Sequence, residues 1–455
     1  MLTPMRPESI RVSVPEGFIE EMRLEPGIDA DALVDALDRE PSTGVRLNSR
    51  KNNASLFEDA ECVKWCATGR YLESRPVFTL MPELHAGAFY VQDPSSMIHR
   101  EIVARLADSP CVLVDFCAAP GGKTTAAIDA LPDGSVVIAN EYEPSRVGAL
   151  KENLIKWGYP GVAVVNAPTS ELRSLAGTVD IALVDAPCSG EGMMRKEPDA
   201  RSQWSKGLIA GCAALQREIV ADAAETLRPG GYLVYSTCTF NRTENEDMLD
   251  YMASELGLES VDLHIDDEWG IPDGLTGRPA KRFMPHLTRG EGLFVAVMRK
   301  PFGESDRRKR KRRTLRPKQA MAGGVMLRDK ENYMICDRDG MVVGIPFALA
   351  EVLDRLPEKT RVVCAGVELG EVKGKDFIPS QAIALSTSLR RDIYPEVELS
   401  RSAALAYLRK ENVDLPDGTP RGYVLATFRG LPLGWLKNLG NRCNNLYPKN
   451  WRIRM

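Results

Sequence analysis

The sequence predicts an α/β protein: a parallel sheet covered by helices on both faces, with a mixed N-terminal region before it and a β-rich module after it. Three observations predict this. From Cys111 to Lys300 short apolar runs alternate with helical stretches. Those runs are rich in Val, Ile and Leu and lack polar alternation, as in strands buried on both faces. A glycine turn, "CAAPGG", joins the first run to the helix after it.

Residues 1–110 come first. "PEGFIEEMRLEPGIDADALVDALDRE" reads as helix in pieces, and "GVRLNSRK" as a short basic strand. "FYVQDPSSMIHREIVARLAD" reads as a strand, a Pro-Ser-Ser helix start and an amphipathic helix. Over 111–300 the expected strands are "CVLVDF", "SVVIANE", "VAVVN", "IALVDA", "GGYLVYSTC" and "GLFVAVMRK". Helices are expected at "TTAAIDAL", "PSRVGALKENLIKW" and "LIAGCAALQREIVADAAETL". A basic linker, 301–324, leads to a module over 325–455 with β-like stretches "MVVGIPF", "TRVVCAGVELGEVKG" and "GYVLATFRGLPLGWLK".

The totals narrow the function classes. A chain of 455 residues predicts roughly two to four domains. Its 44% hydrophobic and 27% charged residues are ordinary for a soluble globular protein. Ten cysteines without regular dense spacing do not make a secreted disulfide scaffold. No signal peptide is read at "MLTPMRPESIRVSVPEGF", and no run nears the ~18 apolar residues of a membrane span. A cytoplasmic protein with reduced thiols and no membrane is expected. The net charge of −4 is unevenly spread. "RRKRKRRTLRPK" (307–318) holds nine cations and no anion, and the 35 residues from Arg421 hold seven cations and no Asp or Glu. Such patches can bind phosphates locally on an acidic chain, although a solvated linker also explains the first.

"VDFCAAPGGKTTAAIDAL" is strand, glycine turn, helix, a form that lets backbone N–H groups approach a ligand. A P-loop is excluded, because Cys117 stands where its first glycine must be. The dinucleotide pattern G-x-G-x-x-G is absent as well. What fits is a nucleoside cofactor at the first turn, with a carboxylate ending the next strand to accept from ribose hydroxyls. Glu141 is that carboxylate. Asn166 and Asp185 end the third and fourth strands. Polar groups at successive strand ends lay out an S-adenosylmethionine pocket, though each alone also suits a cap or turn.

Two thiols share that edge. Cys188 follows "VDAP" and Cys238 follows "YST", each just past an apolar strand. A cysteine is most often a small buried hydrophobe, but ligands of such sheets sit at the strands' carboxyl ends.

"CAAPGGKT", "DAPCSGEG", "STCTFNRTENE" and "FMPHLTRGEG", in this order, resemble the RNA cytosine-5 methyltransferases of the Nop2/Sun group, most closely the bacterial 16S ribosomal RNA branch. "AGAFYVQDPSSM" resembles that branch's lead-in, and "RGYVLATFRGLPLGWLKNLGNRCNNLYPKNWR" its C-terminal RNA-binding module. The resemblance implies a Rossmann-like class I methyltransferase core over 111–300, an N-terminal α+β RNA-binding region and a C-terminal PUA-like module. It implies S-adenosyl-L-methionine as cofactor, held by Cys117, Ala118, Ala119, Pro120, Gly121, Gly122, Lys123, Glu141, Arg146, Asn166 and Asp185. Asn166 departs from the Asp that many relatives carry there.

Cytosine C5 is a poor nucleophile. A thiolate adding to C6 makes C5 enamine-like and turns one hard step into easier ones. That chemistry needs an attacking Cys, a group at ring N3 and a base, and it does not say which cysteine attacks. The resemblance assigns attack to Cys238, product release to Cys188, and the contact with N3 and the exocyclic amine to Asp185. It implies ribosomal RNA or the 30S subunit as partner, a flipped-out base and a monomer. Arg195, Lys196, Arg282, Arg289 and the C-terminal cations are candidate phosphate contacts. Trp435 and Tyr447 suit base stacking or core packing. Cys62 and Cys66 lack the further ligands of a zinc site, so no metal is expected. Two alternatives keep the fold: a transfer RNA cytosine-5 methyltransferase, and a non-catalytic ribosome-assembly factor.

Overall fold

The computed structural model describes residues 12–51, 56–303, 323–374 and 376–454. The basic run 307–318 therefore lies outside the described residues.

Nine strands form the central sheet. They are β1 (Val112–Asp115), β2 (Val136–Asn140), β3 (Val162–Asn166), β4 (Val179–Asp185), β5 (Leu227–Thr237), β6 (Glu259–Val261), β7 (Lys281–Phe283), β8 (Leu293–Arg299) and β9 (Arg361–Ala365). The spatial order is β6-β8-β5-β4-β1-β2-β3-β9, with β7 beside β8. β1 to β5 run parallel, while β8 and β9 are antiparallel to their neighbours β5 and β3. The helices that matter here are α1 (Ile98–Leu106), α2 (Gly122–Ala130), α3 (Pro144–Trp157) and α4 (Lys206–Thr226).

The lack of polar alternation has the expected cause. Along β2, Val136 and Ile138 enter one hydrophobic core while Val137 and Ala139 enter the core on the opposite face. Local chemistry sets the turns. Gly121 takes φ +106, which an L side chain rarely adopts, and releases the chain into α2. α3 begins with a Glu143 cap and a proline, and ends at Gly158 with φ +84. Strand order reverses at β1: β2 lies on one side and β4 on the other. This is the switch point at which open α/β sheets hold ligands.

The basic stretch "GVRLNSRK" (strand Thr43–Leu47) turns two of its cations, Arg46 and Lys51, to partners within the protein. Arg46 is fully buried, donating to Asp129 and Gln92 at 2.8 Å each and lying 4.6 Å over the Trp157 ring. The Lys51 ammonium donates to Ala86 O and Lys156 O at 2.6 Å, and burial pushes its pKa down to about 7. Both cations tie the N-terminal sheet to α2 and α3. The chain after the basic run holds two four-stranded sheets. One contains Tyr333–Arg338, Met341–Pro346, Val367–Lys373 and Asp376–Pro379; β9 leaves this region to extend the central sheet. The other contains Glu396–Glu398, Gly422–Phe428, Leu431–Asn438 and Cys443–Asn445. No helix among the described residues is long and apolar enough to cross a membrane.

Candidate active site

The carboxyl ends of β1, β2, β4 and β5 lie side by side at one edge of the sheet. The loop after β1 is pinned from below: Ala118 N donates to Asn140 O (2.8 Å), and Asn140 Nδ2 donates to Phe116 O (3.1 Å). Arg146 Nη2 donates to Ala119 O (2.7 Å) and Asn153 Nδ2 to Pro120 O (2.8 Å). Thr124 Oγ1 donates to Asp115 Oδ2 at 2.6 Å, and burial raises that carboxyl to about 7. Burial also lifts the Cys117 thiol well above the usual range, so it stays protonated.

Glu141 is buried at the end of β2. Its Oε1 accepts from Glu143 N at 2.8 Å. Its buried Oε2 has no hydrogen-bond donor among the described residues, and Arg146 Nη1 stands 3.4 Å off. An orphaned buried carboxylate oxygen is costly unless a ligand supplies a donor. Ribose hydroxyls supply one, so the donor set fits an S-adenosylmethionine nucleoside. Asn166 is committed differently: its Nδ2 donates to Glu141 O (2.8 Å) and Tyr142 O (2.9 Å), and its Oδ1 accepts from Arg361 Nη1 (3.3 Å). In this arrangement it fixes the turn that carries Glu141 and links it to β9.

At the other end, Lys123 Nζ donates to Asp185 Oδ2 at 2.6 Å. Ser236 Oγ lies 2.9 Å from Asp185 Oδ1, and the His99 ring nitrogen Nε2 lies 3.1 Å from Ser236 Oγ. Burial and the Lys123 ammonium push His99 down to about 4, so the ring is neutral. The two thiols face each other, Cys188 Sγ 3.2 Å from Cys238 Sγ. The sulfur hydrogen bond to Cys238, with burial, holds the Cys188 thiol well above the usual range. Cys188 therefore keeps its proton, and either sulfur can donate to the other.

Two buried carboxylates brace the cysteine loops. Glu191 Oε2 accepts from Thr239 Oγ1 (2.6 Å), Phe240 N (2.7 Å) and Asn241 N (2.9 Å). Glu244 accepts from Ser189 N (3.0 Å), Gln216 Nε2 (2.8 Å) and Asn241 Nδ2 (2.8 Å). Gly192 is required by close approach, since a Cβ there would lie 2.9 Å from Cys238 O. These residues stand inside "DAPCSGEG" and "STCTFNRTENE", where sequence reasoning assigns them no role. The available signal is an acid in each loop with no helix or solvent duty. His99 and Ser236 also escape sequence reasoning.

Several candidate RNA contacts are corrected. The Arg195 side chain is only 6% exposed and donates to Glu291 Oε2 (2.8 Å) and Gly290 O (2.7 Å). Arg282 is buried and donates to Glu246 Oε1 (2.8 Å) and Phe240 O (2.6 Å). Both hold the site's wall, because a buried guanidinium needs its carboxylate. Lys196 is exposed beside Glu291, and the exposed Arg289 pairs with Glu61 over the Tyr71 ring. Trp435 and Tyr447 are buried, as core packing requires. Arg421, Arg429, Arg442, Lys449, Arg452 and Arg454 are exposed. Among the described residues, no group of three or more His, Cys, Asp or Glu could hold a metal ion.

Comparison with known proteins places this geometry. Residues 105–299 match the family "16S rRNA methyltransferase RsmB/F". Residues 14–94 match its relative "N-terminal domain of 16S rRNA methyltransferase RsmF", and 394–453 match "Methyltransferase RsmF PUA domain". The ribosomal RNA small subunit methyltransferase F of Citrobacter koseri is 32% identical over 475 residues, 96% of each chain. That of Klebsiella pneumoniae is 30% identical over 469 residues, again 96% of each. A solved methyltransferase homologue from Pyrococcus horikoshii is 25% identical with a TM-score of 0.55, covering 64% of this chain and 96% of its own. The chain belongs to the ribosomal RNA small subunit methyltransferase F family and is an S-adenosylmethionine-dependent methyltransferase.

Proposed function

We propose that this protein methylates C5 of a cytosine in 16S ribosomal RNA, with Cys238 bonding to C6 and Cys188 aiding release. The observation that carries it is the thiol pair 3.2 Å apart beside the Lys123–Asp185 ion pair, at the strand ends of a methyltransferase sheet. Bound S-adenosylmethionine supplies an electrophilic methyl group. The 117–123 loop, Lys123, Glu141, Arg146 and Asp185 would hold it, and Asn166 would shape the turn beneath.

The chain's residues then do three things. Cys238 sulfur adds to C6, which raises electron density at C5. Asp185, held in a fixed position by Lys123 and Ser236, gives a proton to ring N3 as the S–C6 bond forms, which neutralises the electron pair pushed into the ring. Once C5 is substituted, solvent water takes the C5 proton, the C5–H electron pair forms C5=C6, and the S–C6 bond breaks with its pair leaving on the Cys238 sulfur. The Cys188 thiol, 3.2 Å away, protonates that sulfur and is itself reprotonated from solvent. A transfer RNA substrate would use the same steps; the relatives' names and the PUA-domain match favour ribosomal RNA.

Labelled methyl transfer to naked 16S RNA, 30S subunits and bulk transfer RNA tests the reading. Label is expected in 16S RNA, free or assembled, as 5-methylcytosine; label confined to transfer RNA overturns it. Glu141→Ala should weaken S-adenosylmethionine binding by roughly 1–3 kcal/mol in calorimetry, the loss of charged hydrogen-bond acceptance.

RNA affinity is assigned partly to the exposed C-terminal cations. Replacing Arg442, Lys449, Arg452 and Arg454 with alanine should raise the KM for RNA and leave cofactor binding unchanged. The slope of log K against log salt should flatten by about 0.7 for each single-strand phosphate that the variant no longer neutralises. An unchanged slope would show these cations to be merely solvated.

A further inference from the structure

The hydrogen-bond chain behind Asp185 is one proton short. His99 Nδ1 lies 3.0 Å from Ser96 O, and a carbonyl only accepts, so Nδ1 carries the ring's proton. His99 Nε2 is therefore an acceptor. Ser236 has one hydroxyl proton and two acceptors, His99 Nε2 at 3.1 Å and Asp185 Oδ1 at 2.9 Å. Both His99 and Ser236 are buried, at 1% and 0% exposure, which leaves the unmet acceptor no water to fall back on. On the far side, the Lys123 ammonium has only donors and occupies Asp185 Oδ2. A proton arriving on the carboxyl must then reside on Oδ1, facing Ser236.

We infer that His99 is a positioning residue that lets Asp185 give and take one proton within a turnover, acting through the Ser236 hydroxyl. With Asp185 ionised, Ser236 donates to Oδ1. When ring N3 returns a proton, the N3–H bond breaks and an O–H bond forms at Oδ1, with the N–H pair staying on N3. Oδ1–H then donates to Ser236 Oγ, and the Ser236 hydroxyl rotates to donate to His99 Nε2. Every donor and acceptor is satisfied in that second state, and only because His99 is there. When the next ring takes the proton, the hydroxyl rotates back. His99 stands on α1 between the matched segments 14–94 and 105–299, in neither of them. The inference rests on the reading that Asp185 meets N3.

The test is single-turnover methyl transfer to saturating RNA by His99→Asn, His99→Gln, Ser236→Ala, the His99→Asn/Ser236→Ala double variant and Asp185→Asn. Asparagine can keep the Ser96 hydrogen bond but falls short of Ser236, whereas glutamine reaches it with an amide oxygen. His99→Asn should slow transfer about tenfold, the scale of removing one buried acceptor. The KM for RNA and cofactor affinity should be unchanged. His99→Gln should recover most of the rate. In the Ser236→Ala background, His99→Asn should add nothing, because the hydroxyl through which it acts is gone. Ser236→Ala removes a single oxygen and must show the slowing with His99 intact, even if His99→Asn unfolds. A full rate in His99→Asn or Ser236→Ala, an equally slow His99→Gln, or multiplying effects in the double variant overturns the inference. A full rate in Asp185→Asn overturns the underlying reading instead.

Discussion

Cys238→Ala should lose methyl transfer by at least about 10⁴-fold, as for removal of an enzyme's nucleophile. It should also form no covalent complex with RNA, because C5 is never activated without sulfur on C6. The fold should survive. Cys238 is only partly buried, and its loop is held by Glu191 and Glu244 rather than by its own side chain. Circular dichroism and S-adenosylmethionine calorimetry on the variant check that the loss is chemical.

Cys188→Ala should fail later. Attack and methyl transfer precede the step it serves, so a first methylation should occur at close to the normal rate. Release should then slow by roughly 10²–10⁴-fold, the range for a removed proton-transfer group. Rapid-quench kinetics would show a burst equal to the enzyme concentration and almost no turnover after it. Loss of the burst would show instead that Cys188 acts before transfer.

The core and its ligand edge were legible because their causes are local. Buried strands must be apolar on both faces, a tight turn into α2 needs Gly121, and strand ends face the pocket whatever the chemistry. Thus Glu141, Asp185, Cys188 and Cys238 could be placed on one edge from the sequence. Partners fixed by tertiary structure were not legible. Arg195 and Arg282 read as surface cations because sequence does not show Glu291 and Glu246 arriving beside them. Arg46 looked like part of a basic strand until Asp129 and Trp157 enclosed it. β9 was written in "TRVVCAGVELGEVKG", yet its pairing across nearly two hundred residues with β3 leaves no local mark. His99 is 137 residues from Ser236, so the pairing behind Asp185 had no sequence signal beyond a histidine among buried neighbours.

Cys238 forms the bond to C6 and Cys188 serves its release. The most direct measurement is peptide mapping by mass spectrometry of Cys188→Ala after incubation with 16S RNA and S-adenosylmethionine. An adduct with methylated cytosine attached at Cys238 is expected, retained on a denaturing gel and absent from the Cys188→Ala/Cys238→Ala double variant. An adduct accumulating in Cys238→Ala and mapped to Cys188 would reverse the roles. Undiminished methylation by both single variants would mean that the facing thiols are packing residues.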